Sequence, residues 1–275
     1  MLEIPEAATL ARQARDTLVG REIVSAVAGS SPHGFAFYTG DPSTYGPRLT
    51  GQRITGATSS AGYLELATDD WNLAFFDGAR VRLVDAGAAR PAKHQLLCEL
   101  DDGRALVTTV QMYAGILLLP DPEWDDDPYY DAARTAPSPL TGAFTVAHLR
   151  ALAAEARPAL SAKALLATEQ RIPGLGNGCL QDVLFTAGVH PRRKVRTLDD
   201  ADLVRLHRAV VDVLTAMTDG GGRDTERDLF DRPGGYATLL SAKTLERPCP
   251  VCGSGIVRTA YLGGNVYFCP VCQPE

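Results

Sequence analysis

No apolar run in this sequence approaches the roughly 20 residues that a membrane-spanning helix needs. The first residues also lack the basic and apolar stretches of a secretory signal peptide. From these two absences we expect a protein that has no membrane partner and works in the cytoplasm. Internal repeats are missing too, so 275 residues predict one large domain or two moderate ones with real cores.

The chain also lacks net positive charge. Its formal net charge is −6 at pH 7, which weakly disfavours a nucleic-acid partner. The charge is uneven, however, because residues 1–158 carry a net of −7 and residues 159–275 a net of +1. The basic residues of the second part are clustered, so a local face there can still bind phosphate.

Cysteine is scarce, and the spacing of the six cysteines is informative. Four of them form two Cys-x-x-Cys pairs with sixteen residues between the pairs. Such pairs supply the four thiolates of a tetrahedral zinc site, and Leu262-Gly-Gly-Asn265 between them predicts a hairpin turn. The alternative is two disulfides, which requires an oxidising compartment. We therefore predict one structural zinc in a β-hairpin finger, held by Cys249, Cys252, Cys269 and Cys272. The other two, Cys98 and Cys179, are predicted to be buried free thiols.

Apolar patterning predicts a leading helix and then a β-rich region. The helix runs from Glu3 to about Val19, with Pro5 in its first turn and Gly20 after its end. Short β-rich runs follow, and Asp101-Asp102-Gly103 marks a hairpin between the last two. The runs are Arg53–Ala57, Tyr63–Thr68, Leu73–Phe76, Arg80–Leu83, Gln95–Leu100 and Ala105–Val110. They predict an antiparallel sandwich or barrel, interrupted by a polar loop at 31–47.

The second half of the chain is patterned as helices. Prolines and acidic residues between Pro120 and Pro139 predict a linker before them. The predicted helical segments are Thr145–Ala156, Ser161–Glu169, Gly178–Ala187 and a long one that is capped by Thr197 and ends at Gly220. The fold class is predicted as α+β, with a β-sandwich domain and its leading helix at 1–120, a linker at 121–140, a helical domain at 141–243 and the zinc-finger hairpin at 244–275.

Four segments along the chain carry a family resemblance. They are Leu2-Glu-Ile-Pro-Glu6, Ile172-Pro-Gly-Leu-Gly-Asn177 followed by Leu184–Pro191, Gly234-Gly-Tyr236, and the four cysteines. Because the four segments occur in this order, the chain resembles the formamidopyrimidine-DNA glycosylase/endonuclease VIII family over nearly its full length. The resemblance implies a helix–two-turn–helix DNA-binding domain in the helical half. It also implies a monomeric DNA repair enzyme whose partner is damaged duplex DNA.

The resemblance places the chemistry at the amino end. Enzymes of this family flip a damaged nucleotide out of the duplex, and an amino-terminal amine attacks its C1′ while a glutamate transfers protons. By position, the candidate catalytic residues are Met1, Leu2, Glu3 and Glu6. For either glutamate alone, the alternative role is favourable electrostatics at a helix start.

The same resemblance places DNA contacts elsewhere in the chain. Glycines let a phosphate approach backbone N–H groups at the glycine-rich turn, and two side chains would add phosphate contacts. These candidates are Gly174, Gly176, Asn177 and Lys163. Arg192 and Arg193 add phosphate contacts or lie in a solvated loop, and for Lys163 the alternative is a solvated helix face. Met112 and Tyr113 stand where the family fills the emptied base stack, the alternative being packing in the sheet core.

Three positions depart from the family pattern. Leu2 stands in place of the nucleophilic proline, Gly62 in place of another catalytic lysine, and Gly264 in place of a phosphate-binding arginine. The free amine then belongs to Met1, and a primary amine can still form a Schiff base. Two hypotheses follow: a DNA glycosylase whose abasic-site lyase step is left open, which we favour, and a DNA-binding protein on the same scaffold that has lost the covalent chemistry.

Overall fold

The structure is a computed structural model that describes residues 1–120 and 127–275. It divides into two compact units. The first consists of Met1–Asp131 and Gly221–Gly235, and the second of Ala132–Gly220 and Tyr236–Glu275. Among the described helices, none has the length and apolar character that crossing a membrane requires.

The first unit begins with helix α1, Ile4–Leu18, close to the predicted bounds. Pro5 fits its first turn because a backbone N–H there would have no partner inside the helix. The apolar face buries Leu10, Ala14 and Leu18 completely or nearly so. This face packs against the sheet and closes the core of the first unit.

One seven-stranded sheet forms the rest of the first unit. Its strands are β1 (Ile23–Ala28), β2 (Ala36–Tyr38), β3 (Ile54–Ser60), β4 (Tyr63–Thr68), β5 (Asn72–Val84), β6 (Leu96–Leu100) and β7 (Ala105–Leu119), and a short helix α2 (Tyr45–Leu49) follows β2. The strand order is β1-β6-β7-β5-β4-β3, and β2 pairs in parallel with β7. All other pairings are antiparallel, and the predicted hairpin at 101–103 joins β6 to β7.

A bulge interrupts the pairing of β5 with β7 between Asp77 and Ala79. Asp77 adopts a φ of +55°, and a Cβ on Gly78 would lie 2.6 Å from the carbonyl oxygen of Tyr113, so a side chain does not fit there. The two strands predicted at 73–76 and 80–83 are therefore the two halves of β5. Strand β7 also continues beyond its predicted end, to Leu119.

Part of the predicted linker is a packed helix, α3, at Pro128–Thr135. Tyr130 is fully buried, and its ring centroid lies 5.0 Å from that of Tyr63. The boundary between the two units falls between Asp131 and Ala132, inside the predicted linker at 121–140. The helix itself was not predicted, because Tyr130 has an aromatic partner that local composition does not reveal. Asp125 and Asp126, on which the linker prediction rested, lie outside the described residues.

The second unit contains helices α4 (Val146–Glu155), α5 (Ala162–Ala167), α6 (Asn177–Ala187) and α7 (Asp200–Asp219). Ser161 caps α5 as predicted, accepting a hydrogen bond from the backbone N–H of Ala164. The cap of α7 is Asp199 in a capping box with Asp202, and not Thr197. A carboxylate two residues further along is a favourable acceptor at the positive end of the helix.

The predicted finger is present as the antiparallel hairpin of β8 (Val257–Tyr261) and β9 (Gly264–Phe268). Its turn uses Leu262 and Gly263, which both adopt positive φ. Cys249 and Cys269 are buried in one apolar cluster with Phe185 of α6 and Leu240. The hairpin is therefore packed into the second unit.

The segment Gly221–Gly235 belongs to the first unit, although the prediction placed 141–243 in the helical domain. Two contacts explain this assignment. Leu229 is part of the first unit's core and its carbonyl accepts the backbone N–H of Leu83, while Arg223 pairs with Glu6. Both partners are far away in sequence, so patterning along the chain cannot reveal them.

Candidate active site and metal centre

A cavity of about 540 Å³ lies in the first unit, beside the amino terminus. The start of α1, the bulge of β5, the middle of β7 and the segment 225–227 form its walls. Its lining includes Met1, Leu2, Glu6, Asp77, Gly78, Arg80, Met112, Tyr113 and Glu226. Predicted catalytic residues of the amino end therefore meet at this cavity with both residues of the predicted stack-filling segment.

The amino terminus is held in place by two contacts. The Met1 α-amine lies 2.5 Å from Oε2 of Glu226, as an ion pair. The backbone N–H of Leu2 donates to the carbonyl oxygen of Asp77 at 2.5 Å, in an isolated antiparallel bridge. The Leu2 side chain is 7% exposed and belongs to the apolar core. Leu2 thus anchors the chain end, and Met1 lines the cavity.

Arg223 binds the two predicted glutamates beside the cavity. Its guanidinium lies 2.8 Å from Oε2 of Glu6 and 3.3 Å from Oε1 of Glu3, and 4.0 Å from Oε1 of Glu226. The side chains of Arg223, Glu3 and Glu6 are all 2–4% exposed. One guanidinium therefore joins the two predicted glutamates in a buried ion cluster.

Asp77 has a different electrostatic environment. Partial burial raises the pKa of its carboxyl, the nearby Glu3 carboxylate raises it further, and the amino terminus partly offsets both. Asp77 therefore favours the protonated acid more than an ordinary aspartate does. The site combines two carboxylates that pair with Arg223 and a carboxyl whose pKa burial raises.

Met112 and Tyr113 are exposed, with 71% and 50% of their surface accessible. The alternative that they pack in the sheet core is therefore wrong, because β7 turns both of them to solvent. The ring centroid of Tyr113 lies 5.0 Å from that of Phe37, which is itself exposed. Met112 and Tyr113 line the cavity, and together with Phe37 they form an exposed apolar group.

The predicted phosphate-binding residues lie in the second unit. Gly174 adopts a φ of +74° in the turn before α6, Gly176 caps this helix, and Asn177 is its first residue. The Nδ2 of Asn177 donates to the carbonyl oxygen of Asn265 at 2.9 Å. Lys163 is 3% exposed, and its Nζ donates to the carbonyl oxygen of Tyr261 at 2.7 Å. Lys163 therefore does not lie on a solvated helix face, and burial lowers the pKa of its ammonium.

The two predicted arginines are engaged within the second unit. The guanidinium of Arg192 lies 4.8 Å from the ring centroid of Tyr261, a cation–π distance. Arg193 forms an ion pair with Asp202 and donates to the carbonyl oxygen of Thr197. Neither arginine is therefore merely solvated, and Arg193 helps to hold the start of α7.

The four paired cysteines converge at one point of the second unit. Their sulfur atoms all lie within 4.8 Å of one another, with 3.7 Å between Cys249 and Cys272 and 3.4 Å between Cys252 and Cys269. Tetrahedral zinc with Zn–S bonds of about 2.3 Å requires sulfur atoms about 3.8 Å apart, so this donor set fits zinc. All four cysteines are free thiols, as are the buried Cys98 and Cys179.

Sequence reasoning missed three residues of this site: Asp77, Arg223 and Glu226. Asp77-Gly78 stands between two apolar runs and carried the signal of a turn or bulge. The charged run from Arg223 to Asp228 was visible too, but a charge run is usually a solvated face. The partners of Arg223 and Glu226 are more than 200 residues away, which no local pattern reveals.

The formamidopyrimidine-DNA glycosylase H2TH domain is the family model that matches this chain, at residues 135–227. The formamidopyrimidine-DNA glycosylase of Chloroflexus aggregans is 31% identical over 99% of this chain and 98% of its own length. That of Halorhodospira halophila is 32% identical, over 99% and 100%.

Solved structures agree with these relatives. The MutM (Fpg) protein of Thermus thermophilus is 25% identical, with a TM-score of 0.82 over 99% of both chains. A Lactococcus lactis Fpg in complex with DNA that contains an abasic site has a TM-score of 0.85, over 99% of this chain and 100% of its own. At 23% identity, the latter shows likeness of fold. With its site at the amino terminus and relatives matched along its whole length, the chain belongs to the formamidopyrimidine-DNA glycosylase family.

Proposed function

We propose that this protein is a DNA glycosylase that releases damaged bases from duplex DNA. One observation carries the proposal: Met1 and Glu6 line one cavity of about 540 Å³, and Arg223 joins Glu6 to Glu3. A glycosylase needs such a cavity because C1′ of a damaged nucleotide is reached only after the nucleotide leaves the stack. An amine and a carboxylate at one cavity are the nucleophile and the base that this chemistry uses.

The lyase step rests on the Met1 amine. Leu2 supplies no secondary amine, but a neutral primary amine attacks C1′ and forms an imine in the same way. The imine activates the sugar for elimination, which cuts the strand. A glycosylase that used water in place of the amine would release the base without cutting, so trapping of the imine separates the two routes.

DNA is the proposed partner because the Lactococcus lactis relative was solved in complex with DNA containing an abasic site. We assign the phosphate contacts of this chain to Lys163, Asn177 and the turn with Gly174 and Gly176. An ammonium has three N–H donors, and the bond from Lys163 to Tyr261 uses one of them. The start of α6 adds backbone N–H groups that favour an anion.

Borohydride reduction on abasic duplex DNA is expected to trap a covalent adduct on the peptide that begins with Met1. The reason is that Met1 lines the cavity and its α-amine pairs with Glu226, another residue of the lining. Mass spectrometry of the digested adduct locates the modified peptide. Extending the chain by two residues before Met1 should abolish trapping, since the α-amine then moves away from Glu226.

Two variants control this experiment. Glu3→Gln should slow strand cutting by about 10²–10⁴-fold, typical of a lost proton-transfer group, and leave DNA binding nearly unchanged. Asp16→Asn, a carboxylate on α1 away from the cavity lining, should cut like the natural chain. Firm binding without trapping or base release on any damaged duplex would instead support a binding protein on this scaffold.

Lys163→Ala is expected to weaken DNA binding for all sequences and to reduce the slope of log affinity against log salt by about one unit. This follows if the ammonium of Lys163 neutralises one phosphate. Fluorescence anisotropy at several salt concentrations measures both quantities. Arg208→Ala is the matched control, because Arg208 is 83% exposed on α7 and pairs with Asp212 at 3.2 Å. An unchanged slope in Lys163→Ala would remove this lysine from the interface.

A further inference from the structure

Asp77 lies at a strained point of the backbone beside the amino terminus. Its φ of +55° belongs to the left-handed region, which aspartate adopts at some cost. The bulge at this point and the close approach of Gly78 to the Tyr113 carbonyl oxygen fix the conformation. Bulges next to active sites re-aim side chains, and strained residues persist where the surrounding structure holds them.

The bridge to Leu2 places Asp77 opposite the chain end. Because Leu2 donates to the Asp77 carbonyl oxygen at 2.5 Å, the Met1 amine is one residue away from this bridge. Four charged or titratable groups interact electrostatically with the Asp77 carboxyl. They are the amino terminus and Glu3 at the amino end, Tyr63 of β4 and Tyr113 of β7. Asp77 also lines the cavity.

Asp77 and Glu3 therefore share one site in opposite electrostatic environments. Glu3 faces the guanidinium of Arg223 at 3.3 Å. Asp77 has no such guanidinium among the groups that shift its pKa, and the first cause of the shift is burial. Two neighbouring carboxyl groups whose environments push their protonation apart are the usual arrangement of an acid and a base at one site.

We propose that Asp77 is the proton donor for cleavage of the glycosidic bond and that Glu3 is the base that works opposite it. The inference rests on the proposed glycosylase function and names a further catalytic residue for it. Nothing about the position of Asp77 depends on whether the nucleophile is the Met1 amine or water.

Each proton that moves in this step has a donor and an acceptor. A bond forms between the attacking nitrogen, or the water oxygen, and C1′ of the flipped nucleotide. The bond from C1′ to the base nitrogen breaks, and its electron pair stays on the base, which takes the proton of the Asp77 carboxyl. The Glu3 carboxylate takes the proton that the nucleophile loses. Both carboxyl groups then return to their starting forms by exchange with solvent.

Asp77→Asn tests the proposal. Asparagine tolerates the left-handed conformation and has nearly the same shape, but it cannot donate this proton. Base release from a duplex that contains a Fapy-dG lesion should fall by about 10²-fold or more near neutral pH. The decline of the natural rate as pH rises through the raised Asp77 pKa should disappear in the variant. Trapping on abasic DNA should be affected far less, because no base leaves there.

Fold integrity has an independent measure. A carboxyl whose pKa is raised in the folded state lowers the free energy of unfolding of the protein. This loss develops as pH rises from the unfolded-state pKa of the carboxyl through its folded-state pKa. Asp77→Asn removes this loss, so it should unfold at the same or a higher temperature at pH 7. Asp16→Asn is the control, since Asp16 is an exposed aspartate on α1, in the same unit and outside the cavity lining. It should leave the pH profile of base release unchanged.

The outcomes are distinct. An active natural chain whose Asp77→Asn variant keeps the rate, or loses rate uniformly while keeping the high-pH decline, overturns the assignment of Asp77 alone. A natural chain that releases no base from Fapy-dG or from an oxidised pyrimidine overturns the proposed function and the role of Asp77 with it. A selective loss of base release together with the high-pH decline supports both.

Discussion

Replacing Arg223 with methionine is expected to lower the free energy of unfolding of the first unit by about 3–5 kcal/mol. The guanidinium of Arg223 is 2% exposed and pairs with Glu3 and Glu6, which are equally buried. Methionine keeps much of the volume but leaves two buried carboxylates without a counter-charge. Removing one partner of a buried ion cluster is strongly destabilising, although replacing the whole cluster with apolar residues of similar volume is often neutral.

Urea unfolding followed by tryptophan fluorescence measures this effect, because Trp71 packs against the core of the first unit. Arg21→Met is the control: Arg21 is 44% exposed and its pair with Asp102 at 3.3 Å should contribute at most about 1 kcal/mol. Adding Glu6→Gln to Arg223→Met should recover part of the loss. A decrease below about 1 kcal/mol in Arg223→Met would show that the cluster is not needed for stability.

Removing the metal is expected to unfold the hairpin and abolish DNA binding while the first unit stays folded. Structural zinc contributes about 10–16 kcal/mol of binding free energy to small finger motifs, which we expect to outweigh the packing of the hairpin against Phe185 and Leu240. Asn177 and Gln181 both donate to the carbonyl oxygen of Asn265, and they lose this partner when the hairpin opens. The start of α6 should then lose order as well.

Metal analysis should find one zinc per chain in freshly purified protein. A strong chelator should raise hydrogen exchange in β8, β9 and the start of α6, with tryptophan fluorescence unchanged. Cys249→Ser should behave like the chelated protein, whereas Cys179→Ala, which removes a buried thiol outside the metal set, should keep its zinc. Less than one zinc per chain, with the four cysteines in disulfides, would contradict this prediction.

Local patterns predicted much of the architecture. The leading helix, the hairpin before β7, the glycine-rich turn before α6 and the cysteine hairpin all depend on residues that are near one another in sequence. The family resemblance then identified Glu3 and Glu6 as candidate catalytic residues, and in the structure Glu6 and Met1 line one cavity.

What the sequence did not reveal depends on distant partners. Strand β5 was divided in two because a bulge looks like a turn when its partner strand is unknown. Tyr130 was assigned to a linker because its partner, Tyr63, precedes it by more than sixty residues. Asp77 received no role for the same reason, since its protonation depends on Glu3 and the chain end.

The ion cluster of the first unit has a consequence for synthesis of the protein on the ribosome. Glu3 and Glu6 emerge first, but Arg223 follows more than 200 residues later, at translation rates of about 5–20 residues per second. Until then, burying the start of α1 would place both carboxylates in the interior without the guanidinium of Arg223. The nascent first unit therefore stays incomplete for at least about ten seconds, and a translation product that ends before Gly221 can never assemble this ion cluster.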